Sequence, residues 1–302
     1  MEIKSFQFIK KQLLLKKKIF LDGNFISERE IIIIKIETDN NIIGIGEAVI
    51  LESHGTESAK ELNSALEFLT KNIFDFRLNN SFTKNTSLFN LLTNTPSLRS
   101  AVEQAVFNIC LQSNTEETIK LFNLNSHSSI KLNCLIPAVD QKEKLSVIQK
   151  KYDEGFRVFK IKTSFDSVEK EIAILKEIIR TFPDIKLRID PNGKWKYEDL
   201  INNISFFENP SIEYIEQPFL KKDQLISLQK ETTSAIAADE SATSFVQIKK
   251  LINSGIKTII LKPITVGGIT NSLGIIKLAN VNNVDLIITS SFESMHIIWR
   301  YS

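Results

Sequence analysis

Residues 158–190, VFKIKTSFDSVEKEIAILKEIIRTFPDIKLRID, decide the fold. A short β-branched run, Val158 to Ile161, leads into Lys162. A stretch of helical periodicity follows from Val168 to Thr181, and a second run, Ile185 to Asp190, ends on a carboxylate. Strand, helix and strand within about 30 residues make one parallel βα repeat. Working outward, the same alternation begins after residue 129. Its runs are Leu132 to Ile136, Val158 to Ile161, Ile185 to Asp190, Tyr214 to Glu216, Ala235 to Asp239, Thr258 to Lys262 and Asp285 to Thr289. Helical patterns lie between them at Lys142 to Asp153, Val168 to Thr181, Gln224 to Glu231, Phe245 to Asn253 and Ser272 to Ala279. This spacing predicts a parallel sheet or barrel. A doubly wound sheet is the rival, weakened because no Gly-x-Gly-x-x-Gly turn follows any of the runs.

Before residue 129 the pattern is of another kind. Strand-like runs at Ile3 to Ile9, Ile31 to Ile36 and Ile42 to Glu47 precede helical stretches at Ser58 to Ile73 and Ser97 to Leu111. Asp39, Asn40 and Asn41 supply the turn between the second and third runs. A small α+β domain over residues 1–128, closed by a polar linker at 112–128, then precedes a βα domain over 129–302.

Composition sets broad limits. With 302 residues, 42% of them apolar and 25% charged, the chain is of ordinary globular make-up, which excludes a disordered, fibrous or disulfide-stapled class. Thirty-eight basic against 36 acidic side chains leave a net charge of +2, too weak a field to hold nucleic acid. Cys110 and Cys134 read as reduced thiols of a reducing compartment. The run Ile31 to Ile34 is far shorter than the roughly 20 residues a bilayer requires, and Lys16 to Lys18 interrupt the apolar N-terminal stretch, so neither a membrane partner nor a secretory signal is expected.

Chemistry concentrates where the runs end. Lys160 and Lys162 lie two apart, so the period of a strand places both on one face. Two neighbouring ammonium groups repel, which favours a lowered lysine pKa and use as a base. Asp190 closes the next run in Arg188-Ile-Asp-Pro-Asn-Gly193, Glu216 the next in Ile215-Glu-Gln-Pro218, Asp239 the next in Ala238-Asp-Glu-Ser241, and Lys262 the next in Leu261-Lys-Pro263. From Lys162 onward the intervals are 28, 26, 23 and 23 residues, one βα unit each. In a parallel barrel these ends converge on one rim, where three carboxylates can meet around one ion while lysines face each other across the pocket. With hard oxygen donors and no His or Cys among them, the ion expected is Mg²⁺, with Mn²⁺ as the alternative. A divalent cation beside a lysine base suits proton abstraction next to the carboxylate of a small-molecule substrate.

These strand ends, together with Gly44-Ile-Gly-Glu-Ala48, Pro96-Ser-Leu-Arg-Ser-Ala101, Lys262-Pro-Ile-Thr-Val-Gly-Gly268 and Ser290-Ser-Phe-Glu-Ser294, resemble the enolase superfamily. The likeness is to its Lys-x-Lys, muconate-lactonising subgroup, and within that most closely to the o-succinylbenzoate synthases of menaquinone and phylloquinone biosynthesis. It implies an α/β, enolase-like fold: an N-terminal α+β capping domain followed by a (β/α)7β TIM-like barrel. It further implies a hydro-lyase that removes water by syn elimination from a cyclohexadiene carboxylate. Asp190, Glu216 and Asp239 would bind Mg²⁺, Lys162 would be the base, and Lys262 would be the cation on the opposite face. Lys160 would support Lys162, with Arg188, Asn192, Ser291 and Glu293 as supporting or substrate-binding residues. The segment Lys11 to Glu28 resembles a mobile cap loop. A bacterial cytoplasm, or the stroma of a plastid that encodes its own copy, would suit the pathway.

Departures from the pattern keep other readings open. Pro191 replaces a usually small residue, and His296 stands where Gly commonly follows Glu-Ser-x. The barrel is expected to be C-terminally truncated, because Tyr301 and Ser302 come just after the start of the seventh helix, before an eighth strand and the acidic motif by which epimerases hold a dipeptide. A dipeptide epimerase or N-acylamino acid racemase on the same scaffold, and an inactive truncated pseudoenzyme, are the alternatives.

Overall fold

Two successive blocks of secondary structure, each with its own apolar core, build the protein. The structure, a computed structural model, describes residues 1–21, 24–121, 132–165, 167–291 and 293–294.

In the first block β1 (Ile3–Leu21), β2 (Asn24–Thr38) and β3 (Ile43–Val49) form an antiparallel sheet in sequence order. Asn41, at φ 59°, makes the β2–β3 turn expected at Asp39 to Asn41. The first two strands are much longer than the sequence patterning implies. Pairs such as Leu13 with Arg29, Leu14 with Glu28 and Ile19 with Ile26 continue the ladder through most of the segment expected to be a loop, Lys11 to Glu28. Between Ile3 and Leu21 there is no Gly, Pro, Asn or Asp to turn the chain, so nothing stops the ladder where the core beneath it ends.

α1 (Ala59–Asn72), α2 (Thr86–Asn90), α3 (Pro96–Ser113) and α4 (Thr115–Leu121) follow, the last within the stretch read as a polar linker. Ser58 and Glu61 close a capping box at the start of α1. α3 opens with Pro at its first turn and has no side-chain cap of its own, so the buried Glu57 carboxylate takes that part. It accepts from Ser97 N at 2.9 Å, Leu98 N at 2.9 Å and Ser97 Oγ at 2.7 Å. Ile32, Ile34 and Ile36 alternate onto this helical layer and pack with Leu62, Leu66, Leu98, Val102 and Val106. β3 reaches α3 through two glycines. A Cβ on Gly44 would lie 1.9 Å from the Ala105 carbonyl oxygen, and one on Gly46 would lie 1.8 Å from that of Ala101. The motif Gly44-Ile-Gly therefore marks the closest approach of sheet and helix.

The second block alternates throughout. In order come β4 (Cys134–Ile136), α5 (Gln141–Asp153), β5 (Val158–Lys162), α6 (Val168–Thr181), β6 (Lys186–Asp190), α7 (Tyr197–Ile201), α8 (Ile204–Phe207) and β7 (Ile212–Glu216). Then follow α9 (Lys222–Glu231), β8 (Ile236–Ala238), α10 (Phe245–Asn253), β9 (Thr258–Leu261), α11 (Ile269–Asn282) and β10 (Asp285–Ile288). All pairings are parallel, and the order from β4 to β10 follows the chain without reversal. A doubly wound sheet reverses its order at a switch point, so the rival topology is excluded. Among the described residues the result is a seven-stranded half-barrel with β4 and β10 at its edges.

Strand alternation splits this sheet chemically. Phe159, Ile161, Leu187, Ile189, Ile215, Ile259 and Leu261 point outward and bury themselves with Ile172, Leu175, Ile178, Leu225, Ile248 and Ile275 of the helices. The intervening residues, including Lys160, Lys162, Arg188, Asp190, Tyr214, Glu216, Ala237 and Ile260, occupy the other, inner face. Cys110 and Cys134 are unpaired thiols, and burial pushes Cys110 up to about 11. No helix among the described residues is long and apolar enough to cross a membrane.

The close approach of β3 to α3 makes Gly46→Ala a clash between backbone atoms, which no side-chain rotation relieves. The expected loss in urea unfolding is about 3 kcal/mol or more, the upper end of overpacking costs. Gly155→Ala, strained only by φ +99° with open space around it, should lose about 1–2 kcal/mol. Equal losses for the two variants would contradict the packing described.

Candidate active site

Six polar side chains converge at the C-terminal ends of β5 to β9. β5 ends on Lys162, β6 on Asp190 and β7 on Glu216, while Asp239 and Lys262 stand one residue beyond β8 and β9. Lys160 lies one inward position below Lys162. Its Nζ is 2.6 Å from Glu216 Oε1 and 2.9 Å from Asp190 Oδ2, and so bridges two strand ends. Lys162 Nζ donates to Asp190 Oδ2 at 2.6 Å and to Asn192 Oδ1 at 2.7 Å. Four strands along the sheet from β5, Lys262 Nζ is 2.5 Å from Asp239 Oδ1. The lysines thus stand at the two ends of an arc of carboxylates.

Turn geometry after the strands holds the arc. Asn192 and Gln217 have φ of 50° and 40°, left-handed backbone that non-glycine residues seldom adopt. In that conformation Asn192 N donates to Asp190 Oδ1 at 3.0 Å, and its side-chain amide donates to Glu240 Oε1 at 3.1 Å. Gln217 ties β7 to β8: its oxygen accepts from Asp239 N at 3.0 Å and Ser241 N at 3.2 Å, and its nitrogen donates to Ser241 Oγ at 2.8 Å. Lys262 is fixed through its carbonyl, which accepts from Thr265 N at 3.0 Å.

Electrostatics follow from this crowding. Burial lowers the Lys160 pKa, but Glu216 and Asp190 outweigh it, and the ammonium is held well above its ordinary range. The mutual repulsion of the two lysines expected from the sequence is therefore overridden at Lys160 by the carboxylates that face it. Burial works to raise Asp190 too, yet Lys160 and Lys162 bring it below the usual carboxylate value. Glu216 goes the other way, raised by burial and by Asp190 and Asp239 against the pull of Lys160. Glu240 is raised by burial and by Asp239. Four carboxylates, Asp190, Glu216, Asp239 and Glu240, meet only three ammonium groups, Lys160, Lys162 and Lys262.

The donor set fits a hard divalent cation. Among the described residues, Glu216 Oε2 and Glu240 Oε2 are buried oxygens without a hydrogen-bond partner, and carboxylates outnumber the ammonium groups. No three acidic, His or Cys side chains among the described residues stand ready around a common point as ligands; the ammonium groups lie on the carboxylates instead.

The remaining residues expected at the site separate into two places. Arg188 shares the inner face of β6 with Asp190 but sits a level lower, donating to Glu213 Oε2 at 2.7 Å and Asn133 Oδ1 at 3.0 Å beside the Tyr214 ring. Ser291 and Glu293 belong to a cluster at the seam with the first block. Ser291 N donates to Glu293 Oε2 at 2.5 Å, and Ser294 N donates to Glu47 Oε1 of β3 at 2.9 Å. Burial raises Glu293, whereas it lowers Arg29 of β2 to about 10 against the attraction of Glu293 and Glu47. His296 and the residues after it lie outside the described residues. Sequence reasoning did not single out Gln217, Arg29 or Glu47. Glu240 carried one signal, its place directly after Asp239, while Gln217 carried none beyond following Glu216.

Residues 145–300 match the family described as enolase C-terminal domain-like. The o-succinylbenzoate synthase of Thermosynechococcus vestitus is 32% identical over 152 residues, covering 48% of this chain and 47% of the synthase. Protein PHYLLO, chloroplastic, of Arabidopsis thaliana is 25% identical over 215 residues, 66% of this chain and 12% of that protein. The chain thus spans about half of one of these curated relatives and about an eighth of the other. Among solved structures, the dipeptide epimerase of Methylococcus capsulatus complexed with Mg and the dipeptide L-Arg-D-Lys superposes with a TM-score of 0.85 at 23% identity, covering 97% of this chain and 84% of the epimerase. With that family match extending over half of the sequence and the fold shared across nearly all of it, the chain belongs to the enolase C-terminal domain-like family, in the MR/MLE subgroup of the enolase superfamily.

Proposed function

We propose that this protein is an o-succinylbenzoate synthase, a hydro-lyase that acts by abstracting the proton α to a substrate carboxylate. One observation carries the chemistry: an arc of buried carboxylates with a lysine at each end, in a site where four carboxylates meet three lysines. The choice of substrate rests on the 32% identity to a synthase and on Lys262-Pro-Ile-Thr-Val-Gly-Gly268, which resembles the synthases, whereas dipeptide epimerases tend to lack a Pro after this Lys.

Asp190, Glu216 and Asp239 would hold a divalent cation, Mg²⁺ by the hardness of their oxygens. Bound there, it would offset the surplus of carboxylates and supply Lewis-acid stabilisation to the substrate carboxylate as charge builds on it. Lys162, as the neutral amine, takes the α-proton from 2-succinyl-6-hydroxy-2,4-cyclohexadiene-1-carboxylate. The electron pair left on carbon expels the hydroxyl from the neighbouring ring carbon, Lys162 returns the proton to it, and water leaves with the ring aromatised to 2-succinylbenzoate. Lys262, from the far end of the arc, faces the developing enediolate as a fixed cation. Asn192 orients Lys162 through the 2.7 Å hydrogen bond. Lys160, anchored to both Glu216 and Asp190, stays charged and holds those carboxylates in place.

A second reading, dipeptide epimerisation or N-acylamino acid racemisation, has support from the same geometry. Two lysines at opposite ends of the arc offer one group to remove a proton and another to return it from the far side.

Lys162→Ala should lower turnover of the cyclohexadiene substrate by about 10³-fold, within the usual range for a general base, while its far-UV circular dichroism matches wild type. Normal turnover by that variant would end the mechanism. Lys262→Arg keeps a cation and so retains measurable dehydration, whereas an epimerase would lose reprotonation from that side. Deuterium exchange at the α-carbon of a dipeptide panel by wild type, with no dehydration of the cyclohexadiene, selects the second reading.

Titration with Mg²⁺ should raise the unfolding midpoint, since a ligand at about 100 times its Kd adds about 2.7 kcal/mol. Glu216→Gln should abolish the rise. A rise of equal size in that variant would remove Glu216 from the ligand set.

A further inference from the structure

Beneath the rim, outside the charged arc, lies an ion pair with no exposure on either partner. Lys144 of α5 and Glu171 of α6 are both fully buried, with Lys144 Nζ 2.9 Å from Glu171 Oε1. Surface geometry does not explain the pair, because neither side chain reaches water, and burying two charges carries a desolvation cost that apolar side chains of similar size would not incur. Its remaining contacts indicate what the pair does. Lys144 Nζ also donates to the backbone carbonyl of Lys162 at 3.2 Å. The second oxygen of Glu171 accepts from Ser164 N at 3.0 Å and from Phe165 N at 3.3 Å.

Each of these backbone groups belongs to the residues that carry the chain off the end of β5. The carbonyl of Lys162 and the amides of Ser164 and Phe165 are the polar groups a strand end leaves without ladder partners. Around them, Thr163 N donates to Asp190 O at 3.2 Å, Ser164 Oγ to Val139 O at 2.6 Å, and Trp195 Nε1 to Phe165 O at 3.4 Å. The first holds the turn to β6 and the second to the β4–α5 loop, whereas the Lys144–Glu171 pair grips the Lys162 carbonyl and the two amides that follow it together. With its peptide held in this way, the direction of the Lys162 Cα–Cβ bond is set from below by two helices.

We propose that Lys144 and Glu171 are positioning residues for Lys162: the pair fixes the backbone from which the base is aimed. This rests on the assignment of Lys162 as the base. Among the described residues no hydrogen bond joins the pair to the carboxylate arc, so its effect passes through the peptides of Lys162 to Phe165 and not through the site's charge.

The test compares two uncharged replacements in the full chain, so that neither leaves a lone buried charge. Lys144→Met with Glu171→Gln keeps an acceptor oxygen for Ser164 N but removes the donor on the Lys162 carbonyl. Lys144→Met with Glu171→Leu removes both. Amide hydrogen exchange, unfolding midpoint, kcat and KM are read on each, with the α-proton substrate that wild type turns over. The glutamine pair should lose about 3-fold to 10-fold in kcat and the leucine pair about 100-fold, the scale of a small misplacement of a reacting group, with KM within about 3-fold throughout. Exchange at Ser164 and Phe165 should accelerate in the leucine pair and less in the glutamine pair, while amides of β9 keep their protection. Wild-type kcat in either folded pair, or a loss expressed in KM with kcat intact, overturns the proposal. If the leucine pair does not fold, the glutamine pair decides by the same kcat criterion. If wild type turns over neither substrate class, the functional reading fails by itself, and unchanged exchange at Ser164 and Phe165 in the folded variants would then overturn the positioning role independently.

Discussion

The Lys160 ammonium, 2.6 Å from Glu216 and 2.9 Å from Asp190, joins the ends of three neighbouring strands at one level of the half-barrel. Carboxylates buried this fully would repel each other and take up protons if no cation stood between them, and Glu216 already tends that way. Holding them charged requires a fixed cation of matching reach, and that in turn requires β5, β6 and β7 in register. Lys160 pairs with Arg188 and Lys162 with Asp190 across β5 and β6, which keeps the charged rows level. The rest of the site is arranged around that constraint: Lys162 shares Asp190, Asn192 turns back onto both, and Gln217 carries the arrangement over to Asp239.

The first block meets the second through apolar contacts, as of Ile31 and Val49 with Ile264, and through polar contacts at places where backbone ends would otherwise be unsatisfied. Glu103 of α3 accepts from Thr270 N at 2.7 Å, at the first turn of α11, while its other oxygen holds Arg99 at 3.0 Å. Burial raises Glu103 even so, a sign of how dry the seam is. Gly268 permits this approach, since a Cβ there would lie 2.7 Å from Glu103 Oε2. After the neighbouring strand β10, Glu47 takes the backbone and hydroxyl of Ser294. The chain segments that follow β9 and β10 are therefore fastened to the first block, so the β9 end that carries Lys262 is positioned partly by residues far from it in sequence.

Much of the second block is legible from its local pattern. Runs with outward Ile and Leu and inward Lys, Asp and Glu read correctly as strands because burial on one face and chemistry on the other both obey the period of two. The pair α7 and α8 leaves no such trace: Asn202 and Asn203 divide the connection from β6 to β7 into two short helices, too brief for a periodic signal. The length of β1 and β2 escapes the sequence for another reason. The stretch from Lys11 to Glu28 shows no alternation in sequence, and only the lack of turn-forming residues up to Leu21 marks the ladder. Ser291 and Glu293 group with the pocket on motif alone, whereas the structure bonds them within the loop and beside Arg29 and Glu47.

By itself the sequence determined the class of fold, the identity of the six rim residues and their common end of the sheet, since spacing in units of one βα repeat is a local property. Tertiary structure decided what those residues do to each other. Which lysine bridges which carboxylates, the reversal of the expected lysine shift at Lys160, and the entry of Glu240 and Gln217 all depend on distances between different strands. The same holds for Lys144 and Glu171. Each looks like an ordinary surface charge on an amphipathic helix until α5 and α6 pack together and leave the end of β5 between them, where a backbone carbonyl and two amides need partners.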